Sequence, residues 1–398
     1  AICLGITGIH YQKLAKRYND LGLAYSYWAE REKKYEWFEK AIKYYRDALA
    51  INEKEGDDCS LYVSNIYNNI GNTYSNIGKT WHDLTNYNIA LQYHERALEI
   101  REAMNRKVPM YIARSYKNIG NDYANLRDNE KALKYRKMAL EVYRNILLKD
   151  HPELATAFQD VGNTYRVTQD FENALNYYLS AEKIWKQHLP QNEIALAKCE
   201  EAIGMIYFEQ ARLGEGEQPD KAQEDYKKAL LYCQKALGGF DKYSKIYGAQ
   251  IKRSNGKIGE IYLKLGRNED ALRFLREKVS IQPGKAKKRN KKLLKEYHRL
   301  GEVCKKEKKF EEALAYYMKI LEIRENHFPE EYRNLMEMNF MVACIYRDLR
   351  LSQEAMTYLE KAQQICEIYF PEDRKYLHRL HKTIEITSQE LKKLKRNA

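Results

Sequence analysis

An all-α fold, a solenoid of eight antiparallel helix pairs closed by a capping helix, is predicted by three regularities of this 398-residue sequence. The first is a fixed interval. Seven alanines are each followed 30 residues later by the small residue of a recurring [LIV]-[GA]-x-x-Y string, with Cys304 replacing the tyrosine in one: Ala41/Gly71, Ala90/Gly120, Ala132/Gly162, Ala174/Gly204, Ala229/Gly259, Ala271/Gly301 and Ala313/Ala343. The second is the return interval. It is 12 residues in Gly120/Ala132, Gly162/Ala174, Gly259/Ala271, Gly301/Ala313 and Ala343/Ala355, which makes a period of 42. The third is an aromatic three residues after the alanine in all eight units: Tyr44, Tyr93, Tyr135, Tyr177, Tyr232, Phe274, Tyr316 and Tyr358. One helix pair cannot bury its apolar face alone, so its packing on the next pair must recur in register.

The first helix of each of the first three units reads aromatic-x-x-Leu/Ile-Gly-x-x-Tyr, at Tyr18 to Tyr25, Tyr67 to Tyr74 and Tyr116 to Tyr123, and the later units keep it in part. Apolar residues at i, i+3, i+4 and i+7 make one helical stripe. Glycine costs a helix roughly 1 kcal/mol against alanine, so its recurrence predicts a neighbour too close for a side chain. The second helix starts at the alanine, as in Ala132-Leu133-Lys134-Tyr135 with Ala139-Leu140. Three units carry 7, 7 and 13 extra residues between glycine and alanine (Gly22/Ala41, Gly71/Ala90 and Gly204/Ala229). Matching Tyr35 to Leu84 and Phe38 to Tyr87 assigns the first two to an N-terminal extension of the second helix, braced by Trp37 and Trp81. The third, Gly214 to Pro219, reads as a loop. After Pro371 a last helix keeps Leu377, Leu380, Ile384 and Leu391 on one side, as expected of a solubilising cap.

These residues resemble the tetratricopeptide repeat, whose pattern is W-x2-LG-x2-Y followed by A-x3-F, with tyrosine here usually replacing tryptophan. The 42-residue period and joints such as His151-Pro152 resemble the longer repeats of kinesin light chains and nephrocystin-like scaffolds. The Gly-Asn-x-Tyr strings at Gly71, Gly120 and Gly162 are similar to those of Pins-type adaptors. The likeness spans about residues 11–370. It implies that the first helices line a concave groove, through residues six, three and two before the glycine and one, four and five after it.

Charge is concentrated. The formal net charge is +13, and residues 241–310 alone hold 22 Lys+Arg against 8 Asp+Glu. At the groove offsets this segment places Arg253, Lys257, Lys264, Lys295, His298, Arg299, Lys305 and Lys306, offset mainly by Glu260 and Glu302. A surface of one sign attracts ligands of the other. The run Lys285, Lys287, Lys288, Arg289, Lys291, Lys292 reads as a solvated, helix-starting linker, with a nuclear signal or a phosphate-binding patch as the alternatives. In the first four units the same offsets carry Asn19, Asn65, Asn68, Asn69, Asn72, Asn76, Asn118, Asn121, Asn125 and Asn163, with Lys16, Arg114 and Lys117. The resemblance implies that Asn68, Asn72, Asn121 and Asn163 hold peptide backbone; the alternative is asparagines bonding one another. Lys117 with Asn121 and Lys295 with Arg299 fit the end pairs of a chaperone-type carboxylate clamp, but they stand four units apart and the intervening Asp160 and Ala202 do not fit, so no such clamp is expected.

No stretch approaches the roughly 18 apolar residues of a membrane span. Seven cysteines without a C-x-x-C pair read as reduced and intracellular, which predicts a cytoplasmic protein. Gly78-Lys79-Thr80 imitates the end of a phosphate loop, but Thr73 occupies the place of its first glycine. His378 and His381 lack a third ligand for zinc. The resulting expectation is a right-handed α-solenoid over residues 1–370, with units centred on Gly22, Gly71, Gly120, Gly162, Gly204, Gly259, Gly301 and Ala343, and a cap with a basic tail over 371–398. Its expected function is a non-enzymatic, cofactor-free and metal-free scaffold holding an acidic protein or peptide segment. Two alternatives are a helical-repeat protein binding nucleic acid through residues 241–310, and the regulatory half of a longer polypeptide with a catalytic domain upstream.

Overall fold

A computed structural model describes residues 2–54, 60–104, 108–278 and 287–397, with side chains described for 11–54, 60–104, 108–276 and 290–393. The described residues form seventeen α-helices and no strand. They pack as two compact units, residues 1–206 and 207–398. Cys3, Cys59 and the Lys285, Lys287, Lys288 and Arg289 side chains of the basic run lie outside the described residues.

In the first unit the helices pair as the spacing predicts. α1 (Ile2–Glu32) packs on α2 (Tyr35–Lys54), and α3 (Leu61–Trp81) on α4 (Leu84–Ala103). Next, α5 (Pro109–Asn125) packs on α6 (Asn129–Ile146), and α7 (Pro152–Val167) on α8 (Phe171–Gln187). The second helices α2, α4 and α6 also pack on the next first helices, α3, α5 and α7, while α1 touches α3 and α3 touches α5 directly. The first helices therefore form one layer and the second helices another.

Two contacts explain the repeated residues. The aromatic three after the alanine lies between two aromatics of the first helix. Tyr44 stacks on Tyr18 and Tyr25, Tyr93 on Tyr67 and Tyr74, and Tyr135 stacks on Tyr123 while tilting against Tyr116. The glycine faces the residue four after the alanine. A Cβ at Gly22 would fall 2.5 Å from Tyr45, one at Gly120 2.8 Å from Arg136, and one at Gly259 2.6 Å from Leu275. The close neighbour is thus chiefly a side chain of the second helix.

Seven of the eight helix pairs turn through one left-handed residue: Lys33, His82, Arg127, Gln169, Gly266, Lys308 and Arg350. Its place corrects the expectation for the seven-residue extensions. Arg127 follows Gly120 by 7 residues and precedes Ala132 by 5, whereas His82 follows Gly71 by 11 and precedes Ala90 by 8. Four of the extra residues lengthen the first helix and three the second. Each added stretch, roughly one turn, thus finds a partner. The tryptophans brace it, with ring centroids 5.7 Å apart for Trp28 and Trp37 and 5.8 Å for Phe38 and Trp81. Trp28 and Trp81 nevertheless stay 49% and 41% exposed, so they are not fully buried props.

The third insertion also differs from expectation. α9 (Glu193–Gly214) and α10 (Pro219–Asp241) absorb most of it, leaving residues 215–218 as the turn. In the second unit α10 packs on α11 (Ser244–Lys264), which pairs with α12 (Asn268–Lys278). Then α13 (Lys287–Lys306) pairs with α14 (Phe310–His327), and α15 (Tyr332–Asp348) with α16 (Ser352–Tyr369). α17 (Arg374–Asn397) covers α16, burying Leu380 against Phe340, Leu359, Ala362 and Cys366 with Leu377 and Ile384 beside it, as a cap should. Cys199, Cys233, Cys304 and Cys366 are buried and Cys344 is half-buried. Gly78, Lys79 and Thr80 are helical residues near the end of α3 rather than a phosphate loop.

Candidate peptide-binding faces

Helical spacing puts the asparagines on one face of α3, α5 and α7, and hydrogen bonds fix them there. Asn118 Nδ2 donates to Asn68 Oδ1 at 2.9 Å and to Asn72 Oδ1 at 3.2 Å, joining α5 to α3. Asn69 Nδ2 donates to Asn19 Oδ1 at 3.0 Å, joining α3 to α1. The other asparagine oxygens meet side chains of the second helices. Arg101 donates to Asn65 (2.8 Å), Arg136 to Asn121 (2.8 Å) and Tyr178 to Asn163 (2.5 Å). Asparagines do bond one another and their neighbours, yet Asn72 is exposed and Asn68, Asn121 and Asn163 are half-buried. They are braced and still open to a ligand.

The bracing residues share a place that the repeat pattern does not mark. His94, Arg136 and Tyr178 each stand four after the unit alanine and lie against its glycine. His94 Nδ1 meets Asp122 Oδ2, and its Nε2 lies 3.2 Å from Asn72 Oδ1. Ser75 donates to the other oxygen of Asp122 at 2.6 Å. A serine, a histidine and an aspartate thus meet, but the hydroxyl bonds the carboxylate and not the imidazole, so the serine–imidazole contact of a catalytic triad is not formed. Arg136 reaches the Asp160 carbonyl at 2.9 Å and Thr164 Oγ1 at 2.6 Å. Burial lowers the pKa of its guanidinium, and burial also raises that of Asp160 against the pull of Arg136 and Lys117.

Arg101 is the extreme case, at 2% exposure. Besides Asn65 it donates to Ser64 (3.1 Å), the Tyr111 carbonyl (3.1 Å) and Ser115 (2.6 Å). Burial lowers its pKa to about 10. Neutral acceptors satisfy a charge that would otherwise be very costly to bury. Lys117 and Arg114 share Glu153, at 3.9 and 3.4 Å.

In the second unit the basic residues divide into two groups. Lys257 and Arg299 converge on Glu260 Oε2, at 3.1 and 3.6 Å. The Lys257 ammonium also stands 4.0 Å from the Phe208 ring centroid. Lys264 pairs with Glu215 at 2.8 Å, and Glu215 also accepts from Tyr226. Those two contacts hold the Glu215 carboxyl below its usual range and tie the 215–218 turn to α11. Lys295, His298 and Lys306 are exposed, and Lys305 is half-buried. Among the described residues, no carboxylate forms an ion pair with Lys295, Lys305 or Lys306. Arg253 is exposed on α11.

Among the described residues no helix is long and apolar enough to cross a membrane, and no cluster of three or more His, Cys, Asp or Glu side chains could hold a metal ion.

Family models described as tetratricopeptide repeat match residues 64–105, 111–187, 253–285, 297–327 and 337–369. The solved apo form of RapI shares the fold, with 18% identity and a TM-score of 0.56 over 94% of this chain and 98% of that one. BtubC (BKLC) from P. vanneervenii is 13% identical with a TM-score of 0.44, over 64% of this chain and 95% of that one. A putative kinesin light chain of Podosopora anserina, with nearly identical TPR-like repeats, is 13% identical with a TM-score of 0.32, over 65% and 96%. No curated protein matches significantly.

Proposed function

Because the chain belongs to the tetratricopeptide-repeat proteins, we propose that it is a non-enzymatic, cofactor-free scaffold whose first helices bind a peptide segment, with acidic segments preferred. Such repeats serve protein–protein interaction in general. The finer reading is carried by one observation: Asn68, Asn72, Asn121 and Asn163 are held by neighbours yet remain open on successive first helices. Pre-ordered amides bind at a smaller entropy cost than free ones. The acidic preference rests separately on the second unit, where Lys295, Lys305 and Lys306 have no carboxylate partner among the described residues.

A displayed library of 12-residue peptides, selected on the full chain, tests this. Acidic sequences are expected to be enriched. Replacing Lys257, Lys264, Lys295 and Arg299 by glutamate is expected to abolish their binding. Lys295→Glu with Lys306→Glu is the cleaner pair, since among the described residues neither holds an ion pair that the change would break. Enrichment without acidic bias, or binding unmoved by both sets, contradicts the preference.

A further inference from the structure

The amides one residue after the glycine, Asn72, Asn121 and Asn163, have their oxygens committed to the protein. The Asn121 oxygen accepts from Arg136, and a guanidinium has no acceptor to offer in exchange. The orientation of that amide is therefore fixed by chemistry, oxygen inward and nitrogen outward. Asn163 accepts from the phenol of Tyr178, whose ring is 1% exposed and packed on Gly162. Asn72 accepts from Asn118 and lies beside the buried imidazole of His94. Among the described residues, no acceptor takes the Nδ2 hydrogens of Asn121 or Asn163.

We propose that the buried residues four after the unit alanine in two successive repeats, Arg136 and Tyr178, are positioning residues that set the polarity of this face. They turn Asn121 and Asn163 into outward N–H donors, in line with Asn72, whose oxygen accepts from Asn118. The row donates to the main-chain carbonyl or carboxylate oxygens of an extended polypeptide, and refuses its N–H edge. This rests on the peptide-binding reading above and adds which edge of the peptide is read, and by which hidden residues.

Tyr178→Phe is the test, because it removes one hydroxyl while keeping ring, charge and packing. The probe is fluorescein-labelled decaglutamate, titrated against the full chain. Loss of the bond that orients Asn163 is expected to weaken binding about fivefold, the worth of one neutral hydrogen bond. In an Asn163→Ala background the same change is expected to do nothing, since the residue it acts through is gone. A merely structural tyrosine would weaken binding equally in both backgrounds, or in neither, and would overturn the proposal. A second readout needs no ligand: the side-chain amide protons of Asn121 and Asn163 should exchange rapidly with water by nitrogen-edited NMR. Protected protons would mean nitrogens turned inward and would overturn the proposal on their own. If decaglutamate does not bind the wild-type chain, the acidic-peptide reading fails, and the polarity of the face is then decided by proton exchange.

Discussion

His94 Nδ1 lies 2.6 Å from Asp122 Oδ2, with the two side chains 1% and 2% exposed. The pair bridges the second helix of one repeat to the first helix of the next, at the level of the glycine. Asp122→Ala strands the imidazole N–H in the interior and leaves the half-buried Ser75 hydroxyl without its acceptor. It should cost about 2–4 kcal/mol, since a buried donor without an acceptor loses its full desolvation energy. Denaturant unfolding of both single variants and the double variant with His94→Ala should show strongly non-additive losses. Additive losses would show that the contact contributes little.

Glycine substitutions separate packing from helix propensity. Gly259→Ala puts a methyl 2.6 Å from Leu275, whereas nothing lies within 4 Å of a Cβ at Gly238 on α10. The first should destabilise by about 1–3 kcal/mol through overpacking. The second should stabilise by up to about 1 kcal/mol. Thermal unfolding of the two variants should move in opposite directions.

The raised pKa of Asp160 gives a pH dependence with a definite sign. The folded protein holds this proton more tightly than the unfolded chain does. That stabilisation is complete below the ordinary aspartate value and is lost as pH rises through the raised one. Asp160→Asn lacks the titration. The stability of wild type relative to this variant should therefore fall as pH rises across that interval. A difference that stayed flat or rose would contradict the assignment.

Removing the Arg136 guanidinium leaves Thr164, Asn121 and the Asp160 carbonyl without their donor. Arg136→Met keeps most of the aliphatic stem against Gly120, so its cost, about 2–3 kcal/mol, measures the hydrogen bonds rather than the packing. Unfolding midpoints of this variant and wild type at one pH check it.

The repeat was legible in the sequence because its causes are steric and local. Glycine is needed wherever Tyr45, Arg136 or Leu275 presses on the first helix, and Tyr44 or Tyr93 recurs because two rings flank it. The bracing position escaped notice because its occupants share a place and not a chemistry: Tyr45, His94, Arg136, Tyr178, Leu275 and Tyr317. Only the fold shows which of them meets an asparagine. Charge counting located the basic segment but not its pairing. That Lys264 answers Glu215, 49 residues away, depends on a turn whose ends the sequence left open.

The most direct test is amide hydrogen exchange of the full chain with and without the acidic 12-residue peptide most enriched from the library. Binding on the first helices predicts new protection in α3, α5 and α7 for the asparagine face, and in α11 and α13 for the basic one, with α4, α6 and α8 little changed. Protection confined to the second helices, or absent while the peptide is bound, would contradict the account.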